Sequence, residues 1–167
     1  MKKLCCAFTG HRPKSFPWGY DESDQRCVEL KEVFANQIRL LVNRGYTDFL
    51  SGMAIGVDVW AAQTVLSLRE NHQNIKLHCI LPCIGQEKSW SDEAKATYFS
   101  IIKQADSRVY VSRRYYRDCM LDRNRFMVDN SNLLFAVYGG VSRSGTASTI
   151  NYARSQKREI LILDPLT

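Results

Sequence analysis

The chain has no apolar run approaching the roughly 20 residues needed to cross a bilayer, so membrane insertion is not expected. Its basic start, "MKKLCCAFTGHRP", has too short an apolar stretch for a signal-peptide core and lacks a small-residue cleavage site, which predicts a cytoplasmic protein. Paired CxxC spacings are also missing. The six cysteines, at positions 5, 6, 27, 79, 83 and 119, lie mainly in apolar segments and are expected as reduced, buried thiols. His78, Cys79 and Cys83 are ligand types for a metal, but two of them sit in an apparent buried strand and no second ligand pair follows, so no metal site is expected. Repeats, linkers and low-complexity stretches are absent, and 167 residues suffice for one core, which predicts a single domain over 1–167. Neither GxxxxGK[ST] nor GxGxxG occurs, so the standard phosphate loop and the dinucleotide fingerprint are both excluded.

What is present is an ordinary globular composition, 45% hydrophobic and 24% charged, with a net charge of +6 that favours an anionic partner such as a nucleotide or nucleic acid. Short apolar runs from near Lys3 to Phe8 and at 46–50, 75–81, 108–112, 133–138 and 159–163 read as strands. Between them lie segments of helical period. From Asp24 to Arg44, Cys27, Leu30, Phe34, Ile38 and Leu41 fall on one face, and Gly45 supplies the stop. Further helices are predicted over 57–70, from Asp92 to about Ile102, over 118–130 and from about Ala147 to Ser155. This alternation predicts an α/β fold: a Rossmann-like, doubly wound, mostly parallel sheet of about six strands with helices on both faces. Ligands of such folds lie beyond the carboxyl ends of the strands, where the winding reverses.

Three loops of unusual chemistry follow strands one, two and five: "TGHRP" at 9–13, "SGMAIGVD" at 51–58 and "GGVSRSGT" at 139–146. Parallel strands would bring all three to one edge, where glycines admit a close ligand and helix starts favour phosphate oxygens. Gly52, Gly56 and Gly145 also suit plain tight turns and close packing. Asp58, in a first helical turn, fits a dipole-stabilised carboxylate as well as a ribose ligand or general base. Arg143 offers forked donors to a phosphate or a solvated surface charge. His11 and Arg12 suit ligand contact, His11 equally a loop cap, and Trp60 reads more naturally as core than as a stacking platform. The stretch "RRYYRDCMLDRNR", Arg113 to Arg125, reads as a solvated helix face or as a platform for single-stranded nucleic acid.

Together, "FTGHRP", "SGMAIGVDVWAA", "LPCIGQEKSW", "RNRFMVDNSNLLFAVYGG" and "SRSGTASTINYA" resemble the YpsA-like branch of the SLOG superfamily, in order over nearly the whole chain. The resemblance implies a Rossmann-like domain for nucleotides or nucleotide-derived ligands, such as NAD, ADP-ribose or a nucleoside phosphate, with no required cofactor. It implies pocket residues at Thr9, Gly10, Arg12, Ser51, Gly52, Gly56, Asp58, Trp60, Gly139, Gly140, Ser144, Gly145 and Thr146. Gln86, Trp90, Asn124 and Arg125 match further motifs of the branch. Related domains include DprA, which handles single-stranded DNA, and the LOG phosphoribohydrolases, which cut an N-glycosidic bond. Dimers or higher homo-oligomers are common among them, and the branch is linked to bacterial cell division and stress, implying a protein partner there. Where LOG enzymes carry a catalytic glutamate, this chain has Thr149, which cannot do acid/base work at neutral pH. Binding is therefore expected over turnover, with Asp58 as the remaining carboxylate for catalysis.

Overall fold

In the computed structural model, residues 3–140 and 144–165 are described. Six strands alternate with five α-helices: β1 Leu4–Gly10, α1 Gln25–Asn43, β2 Tyr46–Ser51, α2 Val57–Arg69, β3 Lys76–Leu81, α3 Asp92–Gln104, β4 Ser107–Tyr110, α4 Cys119–Asp129, β5 Leu133–Val137, α5 Gly145–Ser155 and β6 Glu159–Leu163. A single 3-10 turn, Pro13–Ser15, interrupts the long loop after β1. All strand pairs are parallel and the order is β4-β3-β2-β1-β5-β6. The chain thus winds outward from β1 to β4, returns to the other side of β1 and continues to β6. Its switch point lies between β1 and β5.

The period-two alternation of the strands divides the core into two layers. Cys6, Phe8, Phe49, Leu77, Phe135 and Val137 pack against α1, α2 and α3. Cys5, Ala7, Leu50, Ile80, Leu134 and Ala136 pack against α4 and α5. Phe8 stands at the centre of the first layer, with Phe34, Phe49 and Phe135 at ring separations of 5.9, 6.0 and 6.1 Å.

Most element ends fall where local chemistry dictates. The Asp24 side chain caps α1, accepting from the Arg26 N–H, and Gly45, at φ +98°, ends it. Several boundaries differ from the sequence expectation by one or two residues, and two of them have a visible cause. Strand β4 closes at Tyr110 rather than 112, although Val111 and Ser112 still donate to Leu81 and Pro82 carbonyls. Helix α5 starts at Gly145, two residues early, because the Ser144 side chain caps the Ala147 N–H and nucleates a turn that carries no apolar period.

Candidate functional site at the switch point

Strand β1 ends at Gly10, and the next peptide continues its ladder: His11 donates its N–H to Val137 O at 3.3 Å. The buried His11 ring faces Phe16 and Tyr138, and its Nε2 accepts the Gly139 N–H at 3.0 Å. An Nε2 that accepts belongs to a neutral imidazole. Burial agrees, holding the His11 pKa below its ordinary value. His11 therefore ties the loop after β1 to the loop after β5.

The loop between β2 and α2 is built from inside. Ser51 Oγ donates to Asp58 O at 2.8 Å and accepts from the Met53 N–H at 3.1 Å. Gln86 Nε2 donates to Gly52 O at 3.1 Å from the loop after β3. Gly52 itself leaves room for a cation. A Cβ there would lie 2.4 Å from Arg123 Nη1 and 2.5 Å from Cζ, so only glycine lets the guanidinium pass. Gly56 precedes α2 at φ +101°, and a Cβ would crowd Pro13 and the His11 carbonyl.

Arg123, on α4, is 3% exposed. Its Nη1 donates to Gly52 O at 2.5 Å, its Nε to Asn124 Oδ1 at 2.8 Å and its Nη2 to Met120 Sδ at 3.7 Å. Among the described residues these engage three of its five N–H donors. Nearby Asp58 is buried in the first turn of α2 and accepts the Ala54 N–H at 3.3 Å. Burial pushes the Asp58 carboxyl up, offset in part by Arg123, the Ala54 bond and Arg12. Burial likewise pushes Arg123 down, offset chiefly by Asp58. Each group thus pays a desolvation penalty that its neighbour only partly repays.

These pieces surround a cleft of about 180 Å³, lined by Thr9, Gly10, His11 and Arg12, by Lys14 and Ser15, by Ala54 and Asp58, by Arg123 and Asn124, and by Ser144, Gly145 and Thr146. Arg12, Lys14 and Arg123 supply positive charge, and α5 presents its N-terminal turn. In that turn the amides of Gly145 and Thr146 have no intrahelical acceptor.

Ten expected site residues therefore meet at the cleft wall: Thr9, Gly10, His11, Arg12, Asp58, Asn124, Ser144, Gly145 and Thr146 directly, with Gly139 tied to it through His11. Ser51, Gly52 and Gln86 lie behind the wall and shape it. Gly140 turns the chain at φ +87°. Arg143 lies outside the described residues. Four others lie elsewhere. Gly56, Trp60 and Trp90 border a separate groove of about 550 Å³ beyond residues 54–56, rimmed by Glu22 and Glu93. The Trp60 ring is core-like, stacked on Phe16 at 5.7 Å with Lys31 Nζ 5.1 Å from its centroid. Arg125 sits 5.1 Å over the Tyr152 ring, outside the cleft. Thr149 is buried and donates to Gly145 O at 2.8 Å, closing the helix turn rather than facing the cleft.

Arg123, Lys14 and Ser15 line the cleft but are not singled out from the sequence as site residues, although Arg123 opens the "RNRFMVDN" motif. An arginine in "DRNR" looks like a solvated helix charge, and nothing local in the sequence tells that it reaches Gly52, 71 positions earlier.

A parallel doubly wound domain with a cationic cleft at its switch point defines the class of Rossmann-like α/β folds. The family within that class follows from comparison: residues 6–165 match the YpsA family model, described as the YspA SLOG family, and the chain belongs to that family. It is 31% identical to a UPF0398 protein of Bacillus velezensis over 141 residues, 83% of this chain and 75% of that one. It is 29% identical to the UPF0398 protein YpsA of Bacillus subtilis, over 83% and 76%. Among solved structures it resembles DNA processing protein A from Helicobacter pylori, with a TM-score of 0.64 and 19% identity, over 96% of this chain but only 65% of that one. That structure is described as having a single-stranded DNA binding mode. The protein TM1055 also shares the fold, with a TM-score of 0.52, 18% identity and coverage of 94% and 72%. No helix among the described residues is long and apolar enough to cross a membrane.

Proposed function

We propose that the switch-point cleft binds the phosphate and sugar of a nucleotide or nucleotide-derived ligand, such as NAD, ADP-ribose or a nucleoside phosphate. The observation that carries this reading is the meeting of the first turn of α5 with Arg123, Arg12 and Lys14 in one small cleft. Amides at a helix start and guanidinium forks both match phosphate oxygens. A volume of about 180 Å³ is below the roughly 300–1,000 Å³ of sites for drug-sized ligands, so the base lies outside it.

Calorimetry with AMP, ADP-ribose, NAD and inorganic phosphate tests the reading. Wild type is expected to bind at least one of them, and the double variant Arg12→Ala/Lys14→Ala at least tenfold more weakly. Arg125→Ala, placed outside the cleft, is expected to bind as wild type does. Indifference of the wild type to all four compounds would reject the proposal.

N-glycosidic cleavage remains a second reading because of Asp58. A carboxyl whose pKa burial raises is suited to hand a proton to a departing base. The same mixtures, followed by chromatography for free base, separate holding from cutting. Release that Asp58→Asn abolishes would establish turnover.

A further inference from the structure

On the sheet face shared with α4 and α5, three neighbouring strands repeat one pattern. Asp48 and Leu50 of β2, His78 and Ile80 of β3, and Ser107 and Val109 of β4 are each spaced by two, so all six share that face. Parallel register sets Leu50 beside His78 and His78 beside Ser107. These residues, with Lys3, Asn132 and Phe126, line a cleft of about 340 Å³ that shares no residue with the switch-point cleft.

His78 sits between two partners at short range. Its Nε2 lies 2.6 Å from Asp48 Oδ1, and its Nδ1 lies 2.6 Å from Ser107 Oγ. Asp48 is 2% exposed and also receives Thr47 Oγ1 at 2.8 Å and Lys3 Nζ at 3.0 Å. Burial pushes its carboxyl up, but the bonds from His78, Thr47 and Lys3 outweigh that and hold it below its ordinary value. The group is therefore ionised at neutral pH, and an ionised carboxylate only accepts. Nε2 must carry the ring proton. In the neutral ring Nδ1 is then an acceptor, and the Ser107 hydroxyl must donate to it. Nucleophile, base and orienting carboxylate stand in the sequence of contacts that serine-type acyl transfer requires, with the ring reversed so that Nδ1 faces the hydroxyl.

We propose that Ser107, His78 and Asp48 form a second reactive centre that transfers acyl groups from small activated esters. Ser107 Oγ attacks the ester carbonyl carbon while His78 Nδ1 takes the hydroxyl proton. The bond from that carbon to the alcohol oxygen breaks, and His78 returns the proton to the departing alkoxide. Water, deprotonated by the same nitrogen, then attacks the acyl carbon, and Ser107 leaves with the proton restored. The net change is ester plus water to acid plus alcohol. Lys3 and Asn132 offer donors at the cleft to charge on the carbonyl oxygen, and Leu50, Ile80, Val109 and Phe126 give the acyl chain an apolar wall.

The experiment treats the intact protein with an alkyl fluorophosphonate, which phosphonylates activated serines with loss of fluoride, and maps the adduct by peptide mass spectrometry. One adduct is expected, on Ser107, absent in Ser107→Ala and formed at least tenfold more slowly in His78→Gln. Thermal melting checks that the variants are folded. Should His78→Gln melt early, Ser107→Cys in the otherwise native chain serves instead. Iodoacetamide is then expected to alkylate residue 107 at least tenfold faster than free cysteine at pH 7. No adduct on Ser107 in folded wild type, an equal rate in His78→Gln, or a residue-107 thiol no faster than free cysteine would overturn the proposal.

Discussion

Arg123 and Gly52 form a lock-and-key pair at the floor of the switch-point cleft, the guanidinium occupying the space a side chain at 52 would take. An alanine at 52 must push the cation aside or displace the β2–α2 loop, and overpacking of this kind costs typically about 1–3 kcal/mol. Gly52→Ala is therefore expected to lower stability by about that amount in urea unfolding. A double-mutant cycle with Arg123→Met checks the cause. If the collision is responsible, the loss from Gly52→Ala shrinks when the guanidinium is already gone. Equal losses in both backgrounds would place the strain in the loop backbone. The residue scale is also where the sequence was least legible. Glycines and hydroxyls near strand ends announce a site in one dimension, whereas Arg123 acquires its role only by reaching across 71 positions to a carbonyl. Asp48, His78 and Ser107 show the same limit, since no motif joins residues about 30 positions apart until the strands are in register.

Among the elements, the loops after β1 and β5 are tied together by the Gly139 N–H bond to His11 Nε2, beside the His11 N–H bond to Val137 O. The unfolded chain takes up a proton on this histidine at its ordinary value of about 6.5, while burial makes the folded chain resist it until lower pH. Between those two values the unfolded state holds more protons. The His11 contribution is accordingly complete above pH 6.5 and is lost as pH falls through the folded value. Melting temperatures from pH 8 to pH 5 are expected to fall more steeply for wild type than for His11→Gln, with the curves diverging only below about 6.5. Strands and helices themselves were readable because periods of two and near four survive in the sequence, as in Leu133–Val137 and in the Cys27, Leu30, Phe34 face of α1. Strand order was not. Each crossover looks alike in sequence, and nothing in β4 or the residues after it states that β5 returns to the far side of β1.

Over the molecule as a whole, a charge of +6 is divided unevenly: the switch-point cleft carries Arg12, Lys14 and Arg123, while the groove beyond residues 54–56 is rimmed by Glu22 and Glu93. If single-stranded nucleic acid enters the first cleft, phosphate contacts release counterions and log K falls with log salt by about 0.7 for each contact on a single strand. Removing Arg12 and Lys14 together should then flatten that slope by about 1.4, measured by fluorescence polarisation of a labelled oligonucleotide between 50 and 300 mM salt, values chosen as roughly the range over which such slopes are resolved. An unchanged slope would move any nucleic-acid contact elsewhere on the surface.

The position of Arg123 on α4 has a consequence for how such proteins diversify. Three of the walls are loops, which tolerate exchange, but the cation beneath them belongs to a packed helix and is admitted by a glycine at a strand end. Grafting loops from a distant relative onto this scaffold would thus reshape what the cleft prefers and exchange Arg12 and Lys14 with them, while the positive charge of Arg123 beneath the loops stays in place.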